Sequence, residues 1–295
     1  IEIFVDEVAV AVVGLDGTVA PSVRVERPRS RVTVDETLGD VARLVERVAT
    51  VAQRGGEPEL IGCGVSVPGL VRGADGVVLT APNLGWGDVP LGSLIQSMLE
   101  PVVGQLEVRI GNDADLGALA ESRFGAGAGS DHMLFVSGEV GVGGGLIVGG
   151  VPVVGHLGFA GEIGHVPVNP HGRPCACGSI GCWETEVGER ALLERAGFDP
   201  DGGRSAVDEL IDRAGNGDPF TLESLAIEAR WLAIGITGLV NVLDLDTVVL
   251  GGLFARLLPT IRAQLDDELA QRRYRAASRS VAVVGACLGS SAVTV

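Results

Sequence analysis

Residues 161–184 read GEIGHVPVNPHGRPCACGSIGCWE, and this stretch decides how the rest of the chain is read. His165, Cys175, Cys177 and Cys182 form the pattern His-x9-Cys-x-Cys-x4-Cys. Three thiolates and one imidazole make a closed tetrahedral donor set suited to Zn²⁺, and a set with no open position points to a structural ion. Gly172, Gly178 and Gly181 let the loop curl until the sulfurs converge. A disulfide framework would spread its cysteines, whereas here Cys63 and Cys287 stand apart in apolar segments. Glu162 lies three residues before His165, and Glu184 two after Cys182. A metal that closes the loop would hold both carboxylates near one point.

Working outward, apolar β-branched residues 1–13 predict a strand, Asp16-Gly17 a hairpin turn, and 18–25 a second strand. Leu38, Val41, Leu44, Val45 and Val48 have helical spacing within 35–53. A buried strand at 60–67 stops at Pro68-Gly69, a helix is expected at 91–99, a strand at 106–110 and a helix at 114–123. Beyond residue 131 come strands at 133–137 and 145–148, the cysteine loop, helices near 204–214, 220–243 and 253–274, and a strand at 247–250. Helix 220–243 is apolar on nearly every side, so it is central or lies in a subunit interface. The order indicates α/β architecture with helices on mixed sheets. Asn112-Asp113 follows the strand at 106–110, where such sheets place ligands. Asn112, Asp113, Glu162, Glu184 and an imidazole edge form a set rich in acceptors, as a polyhydroxylated sugar requires.

Composition removes other classes. The 295 residues suggest about two domains. All 22 basic residues are arginine, which leaves no lysine for a P-loop, a protein kinase or a pyridoxal-phosphate Schiff base. A net charge of −16 opposes a phosphate backbone, so these residues are not expected to grip DNA. No uncharged apolar run of membrane-spanning length and no signal-peptide pattern stands out, so the expectation is a cytoplasmic protein with no membrane partner.

The chain resembles the ROK family of repressors and sugar kinases over nearly its whole length. The likeness lies in Val65-Ser66-Val67-Pro68-Gly69, Ala81-Pro82-Asn83-Leu84-Gly85-Trp86, Asn112-Asp113-Ala114, residues 161–165 and 175–184, and Leu250-Gly251-Gly252. The resemblance implies the actin/hexokinase/Hsp70-like (ribonuclease H-like) fold, two α/β domains with a cleft, and a dimer or tetramer. It places a small domain at 1–112, completed by about 285–295, and a larger one at 113–284 carrying the zinc loop at 165–182. It also implies that Asn112, Asp113, Glu162, His165 and Glu184 hold sugar hydroxyls. His165 would then bind zinc through one ring nitrogen and face the sugar with the other.

Two readings follow. In the kinases of the family, the aspartate at the position of Asp113 is the general base toward the hydroxyl that receives phosphate. Those kinases open with Asp-x-Gly-Gly-Thr, where this chain has Glu2-Ile3-Phe4-Val5-Asp6 and no glycine before Gly14. Their second phosphate loop resembles Gly138–Gly145, but here Glu139 stands where they carry threonine. Gly138, Gly141, Gly143, Gly251 and Gly252 are thus what remains of the ATP loops, and use of ATP with Mg²⁺ is not expected. The favoured reading is the sugar-sensing part of a transcriptional repressor, which reaches DNA through a winged helix-turn-helix upstream of Ile1. The alternative is an ATP-dependent sugar kinase.

Overall fold

A computed structural model of the chain describes residues 1–20, 22–27, 32–54, 60–274 and 280–288. These form two compact units. The first holds Ile1–Ala120 with Val154–Ala160, and the second holds Glu121–Val153 with the described residues from Gly161 on. Of the segment expected to complete the first domain, residues 289–295 lie outside the described residues.

In the first unit, β1 (Glu2–Ile3), β2 (Glu7–Val10), β3 (Val23–Glu26), β4 (Gly62–Val67) and β8 (Glu107–Asn112) form one sheet in the order β3-β2-β1-β4-β8. β4 runs parallel to β1 and β8, and the β1–β3 pairs are antiparallel. The strand expected over 1–13 is therefore a hairpin, because the chain reverses at Phe4, whose N–H donates to Glu7 O at 2.8 Å. The reversal falls beside the acidic pair Asp6-Glu7, with no glycine or proline in residues 1–13 to mark it. Helix α1 (Val34–Arg54) begins at a reciprocal cap: Glu36 N–H donates to Thr33 Oγ1, and Thr33 N–H donates to the Glu36 carboxylate. Its Val41, Leu44 and Val45 pack with Ile95 and Leu99 of α2 (Leu91–Val103) and with Ile3, Val8, Val65 and Val67 of the sheet. A second sheet, β5 (Leu70–Arg72), β6 (Val77–Ala81) and β7 (Trp86–Val89), was not expected from the sequence. Its strands are short and lie among glycines and prolines that read as loop. Helix α3 (Asp113–Phe124) follows β8 directly, and the division between units falls within it.

The second unit is built on the sheet β11-β10-β9-β12-β13, made of β9 (His132–Gly138), β10 (Val142–Val148), β11 (Val151–Pro152), β12 (Thr247–Gly251) and β13 (Ala282–Gly285). Gly143, Gly144 and Gly145 belong to β10 and pair with Ser137, Val136 and Phe135, so the expected glycine loop shrinks to a turn at 139–141. Helices α4 (Glu184–Val187), α5 (Glu189–Arg195), α6 (Gly203–Gly215), α7 (Pro219–Leu243) and α8 (Gly252–Arg272) complete the unit. α7 starts at Asp218, whose carboxylate accepts from Thr221 N, with Pro219 in the first turn, and it ends at Asp244 in the left-handed region. By length and hydropathy α7 could cross a bilayer, yet half of its most apolar window is buried inside the unit. Leu225, Ala229, Leu232, Ala233 and Ile236 sit in a core shared with Trp183, Leu192, Leu210 and Phe254. That is the burial of a core helix.

Candidate functional site

The cysteine loop folds back on itself through backbone pairing. Pro167 bridges Cys182 and Pro174 bridges Ile180, while Val168 N and Asn169 N both donate to Gly181 O. Gly181 has φ +69°, and a side chain there would strike Asn169 O, so this position requires glycine. The reversal brings the ligand atoms of His165, Cys175, Cys177 and Cys182 within 4.8 Å of one another.

These distances can be tested against a metal. Tetrahedral geometry with Zn–S of ~2.3 Å and Zn–N of ~2.0–2.1 Å implies edges of roughly 3.5–3.8 Å. His165 Nδ1 lies 3.6 Å from Cys175 Sγ, and Cys177 Sγ lies 3.6 Å from Cys182 Sγ. The residues fit the ion. In the metal-free chain, burial pushes the Cys175 and Cys182 thiols up, while a backbone hydrogen bond from Ser179 pulls Cys177 down. A bound cation would offset that burial by taking the thiolates as ligands.

Two carboxylates stand beside this cluster. Glu184 Oε1 is 3.0 Å from Cys175 Sγ and 3.4 Å from His165 Nδ1. Glu162 Oε2 is 3.9 Å from the other ring nitrogen, Nε2. Burial holds the Glu162 carboxyl above its usual range, with His165 opposing the shift and Glu184 adding to it. The short 3-10 turn Ile163–His165 fixes both Glu162 and His165, and the buried Ile163 anchors it. Ile163 rests on Gly144 of β10, where an added Cβ would fall 2.0 Å from its side chain.

In the first unit, Asn112 ends β8 beside Val67 of β4, at the C-terminal ends of two parallel strands. Its side-chain oxygen accepts from Ala114 N and Asp115 N, capping α3, and its amide donates to Gly69 O at 2.9 Å. Asp113 Oδ1 accepts from Ala114 N at 2.9 Å. Both side chains are half-buried.

The five glycines named for the nucleotide are distributed differently. Gly138 ends β9, Gly141 lies in the turn, Gly143 is within β10, Gly251 ends β12 and Gly252 begins α8. A Cβ on Gly138 would meet the Phe254 ring at 2.8 Å. Gly252, at φ +54°, faces the Glu139 carboxylate, whose Oε1 would lie 2.6 Å from a Cβ there.

A family model for the ROK family matches residues 1–294. The chain belongs to the ROK family. The chain is 32% identical over 233 residues to a xylose repressor of Bacillus subtilis, covering 79% of this chain and 59% of that protein. It therefore spans about three fifths of the repressor's length. A kanosamine kinase of Amycolatopsis mediterranei is 36% identical over 233 residues, covering 78% of this chain and 73% of the kinase. The structure superposes on a ROK family glucokinase from Streptomyces griseus in complex with glucose and AMPPNP. That match has a TM-score of 0.81 and 28% identity, over 99% of this chain and 95% of that one. The actin/hexokinase-like α/β fold expected from the sequence is the fold of this ROK chain.

Sequence reasoning missed the buried contacts around α4. Trp183 is fully buried, and its indole N–H donates to Trp231 O of α7 at 2.9 Å. Arg195 of α5 joins the carbonyl of Glu186 to the carboxylate of Glu228. Trp183 directly precedes Glu184 and Glu186 lies two residues after it, which was the available signal; Arg195 and Glu228 offered none.

Proposed function

We propose that this chain is the sugar-sensing effector part of a ROK transcriptional regulator, which binds a hexose, amino sugar or pentose and controls DNA binding by an upstream winged helix-turn-helix. Glu162, His165 and Glu184 would supply acceptors and a donor to sugar hydroxyls, and so would Asn112 and Asp113. Zn²⁺ held by His165 Nδ1 and the three thiolates would fix the imidazole, leaving Nε2 for ligand. A thiolate at Cys175 donates no hydrogen bond, so Glu184 Oε1 would be left to accept one from a hydroxyl. A homo-oligomer, a dimer or tetramer, belongs to the same reading.

The observation that carries the sensor over the kinase is the carboxylate of Glu139 at the first residue of α8. A helix N-terminus favours an anion. Here a side-chain anion already lies against it, and a phosphate brought to ~4 Å from that charge would be repelled by about 1 kcal/mol in water and more where water is excluded. The glycine-free reversal at Phe4–Glu7 supports the same reading, because bulky side chains hold a backbone away from phosphates. The net charge of −16 favours leaving DNA contacts to a separate basic segment.

The kinase reading keeps one specific support, the kanosamine kinase relative matched over most of its length. In that case Asp113 would take the proton from the attacking hydroxyl. A coupled assay with ATP, Mg²⁺ and D-glucose, D-xylose, N-acetylglucosamine or N-acetylmannosamine separates the two. The sensor reading expects sugar-dependent thermal stabilisation and no turnover; phosphorylation at ordinary enzymatic rates would overturn it.

A further inference from the structure

Glu184 sits on α4, a helix of a single turn, which cannot hold its own geometry. The chain on both sides of Glu184 is tied to α7, directly on one side and through Arg195 of α5 on the other. On one side, the Trp183 ring lies against Gly235 and donates to Trp231 O. On the other, Arg195 Nη2 donates to Glu186 O at the end of α4, while Nη1 reaches Glu228 Oε2 at 2.9 Å. Glu228 is wholly buried, and its second oxygen, Oε1, has no hydrogen-bond partner among the described residues. Asn169 of the cysteine loop donates to the Glu186 carboxylate at 2.8 Å, so loop, α4 and Arg195 of α5 meet at one residue.

A buried Arg–Glu hydrogen bond is a costly way to join two helices, since well-packed apolar residues of similar volume serve stability as well or better. What this pair supplies and an apolar pair cannot is an oriented donor. Glu228 pins one arm of the guanidinium fork, and the rigid plane then aims the other arm at the Glu186 carbonyl. We infer that Arg195, held by Glu228, is a positioning residue that clamps α4 to α7 and so sets where Glu184 presents its carboxylate to the ligand. This rests on the sugar reading of Glu184.

The test uses zinc-loaded wild type, Arg195→Lys, Glu228→Gln and the double variant Arg195→Met with Glu228→Met. Two readouts are taken: hydrogen exchange of the amides at 184–188, and affinity for D-xylose and D-glucose by calorimetry. Arg195→Lys keeps the charge but has a single ammonium for two partners, and the double variant removes the donor without stranding a buried charge. In both, exchange at 184–188 should rise at least tenfold while β9 and β12 stay protected, and sugar affinity should fall at least fivefold. Glu228→Gln keeps an acceptor for Nη1 and should stay within twofold of wild type on both readouts. Unchanged exchange at 184–188 in both Arg195 variants overturns the clamp. Faster exchange with full sugar affinity overturns its role toward the ligand. If wild type binds neither sugar, the sugar reading of Glu184 fails by itself, and exchange at 184–188 still decides whether the clamp exists.

Discussion

The Trp183 indole occupies the space in which a side chain at Gly235 would begin: a Cβ on Gly235 would fall 2.1 Å from Trp183 Cε2. Gly235→Ala should therefore force the ring or α7 aside and cost ~1–3 kcal/mol, the usual range for overpacking a core. Urea denaturation of Gly235→Ala, Trp183→Phe and the double variant measures this. The smaller ring should recover part of the loss, and strict additivity would show that the two residues do not share that volume.

Purified protein should carry about one zinc per chain by metal analysis. Cys182 is fully buried and Cys175 nearly so, so Cys182→Ser should abolish metal retention. A Cys182→Ser protein that keeps a full complement of zinc would rule out the four-ligand set.

Asp113→Ala and Glu162→Ala should each weaken sugar binding by ~1–3 kcal/mol, the cost of leaving a buried partner unpaired. Calorimetry with the sugar that stabilises wild type most strongly gives the value directly. Full affinity in either variant removes that residue from the ligand set.

Burial pushes the Glu228 carboxyl up to about 8, against the pull of the Arg195 guanidinium. In the unfolded chain the same group ionises at ~4.3. Between these values the folded state keeps a proton that the unfolded state has released. This contribution to stability is therefore complete below about pH 4 and is lost as pH rises through 8. Denaturation midpoints at pH 5, 6.5 and 8 should fall with pH for wild type relative to Glu228→Gln. No slope relative to Glu228→Gln over this range would mean that Arg195 keeps Glu228 ionised throughout.

The metal loop was readable because its information is local: four donor residues at short spacing, with glycines between them, state their own geometry. Helices α6, α7 and α8 were readable for a similar reason, since the residues that mark each as helical lie within that one segment. The turn at Phe4 was hidden because residues 1–13 are mostly apolar and carry no glycine or proline to mark a reversal, and β5–β7 were hidden by short length and glycine content. Arg195 and Glu228 are 33 positions apart, and nothing in either neighbourhood names the other. Asn112 read as a ligand residue, and what the structure shows of its side chain is a local role: its oxygen caps α3 and its amide donates to Gly69 O.

Gly144 leaves room for Ile163, and Gly138 leaves room for Phe254. Selection on these positions would persist in a lineage that had abandoned phosphoryl transfer, because substitution would dislodge the turn bearing Glu162 and His165 or the start of the last long helix. Retained glycines in β9 and β10 are thus poor witnesses to catalysis. Sorting relatives into enzymes and regulators by that motif alone would therefore track packing rather than chemistry.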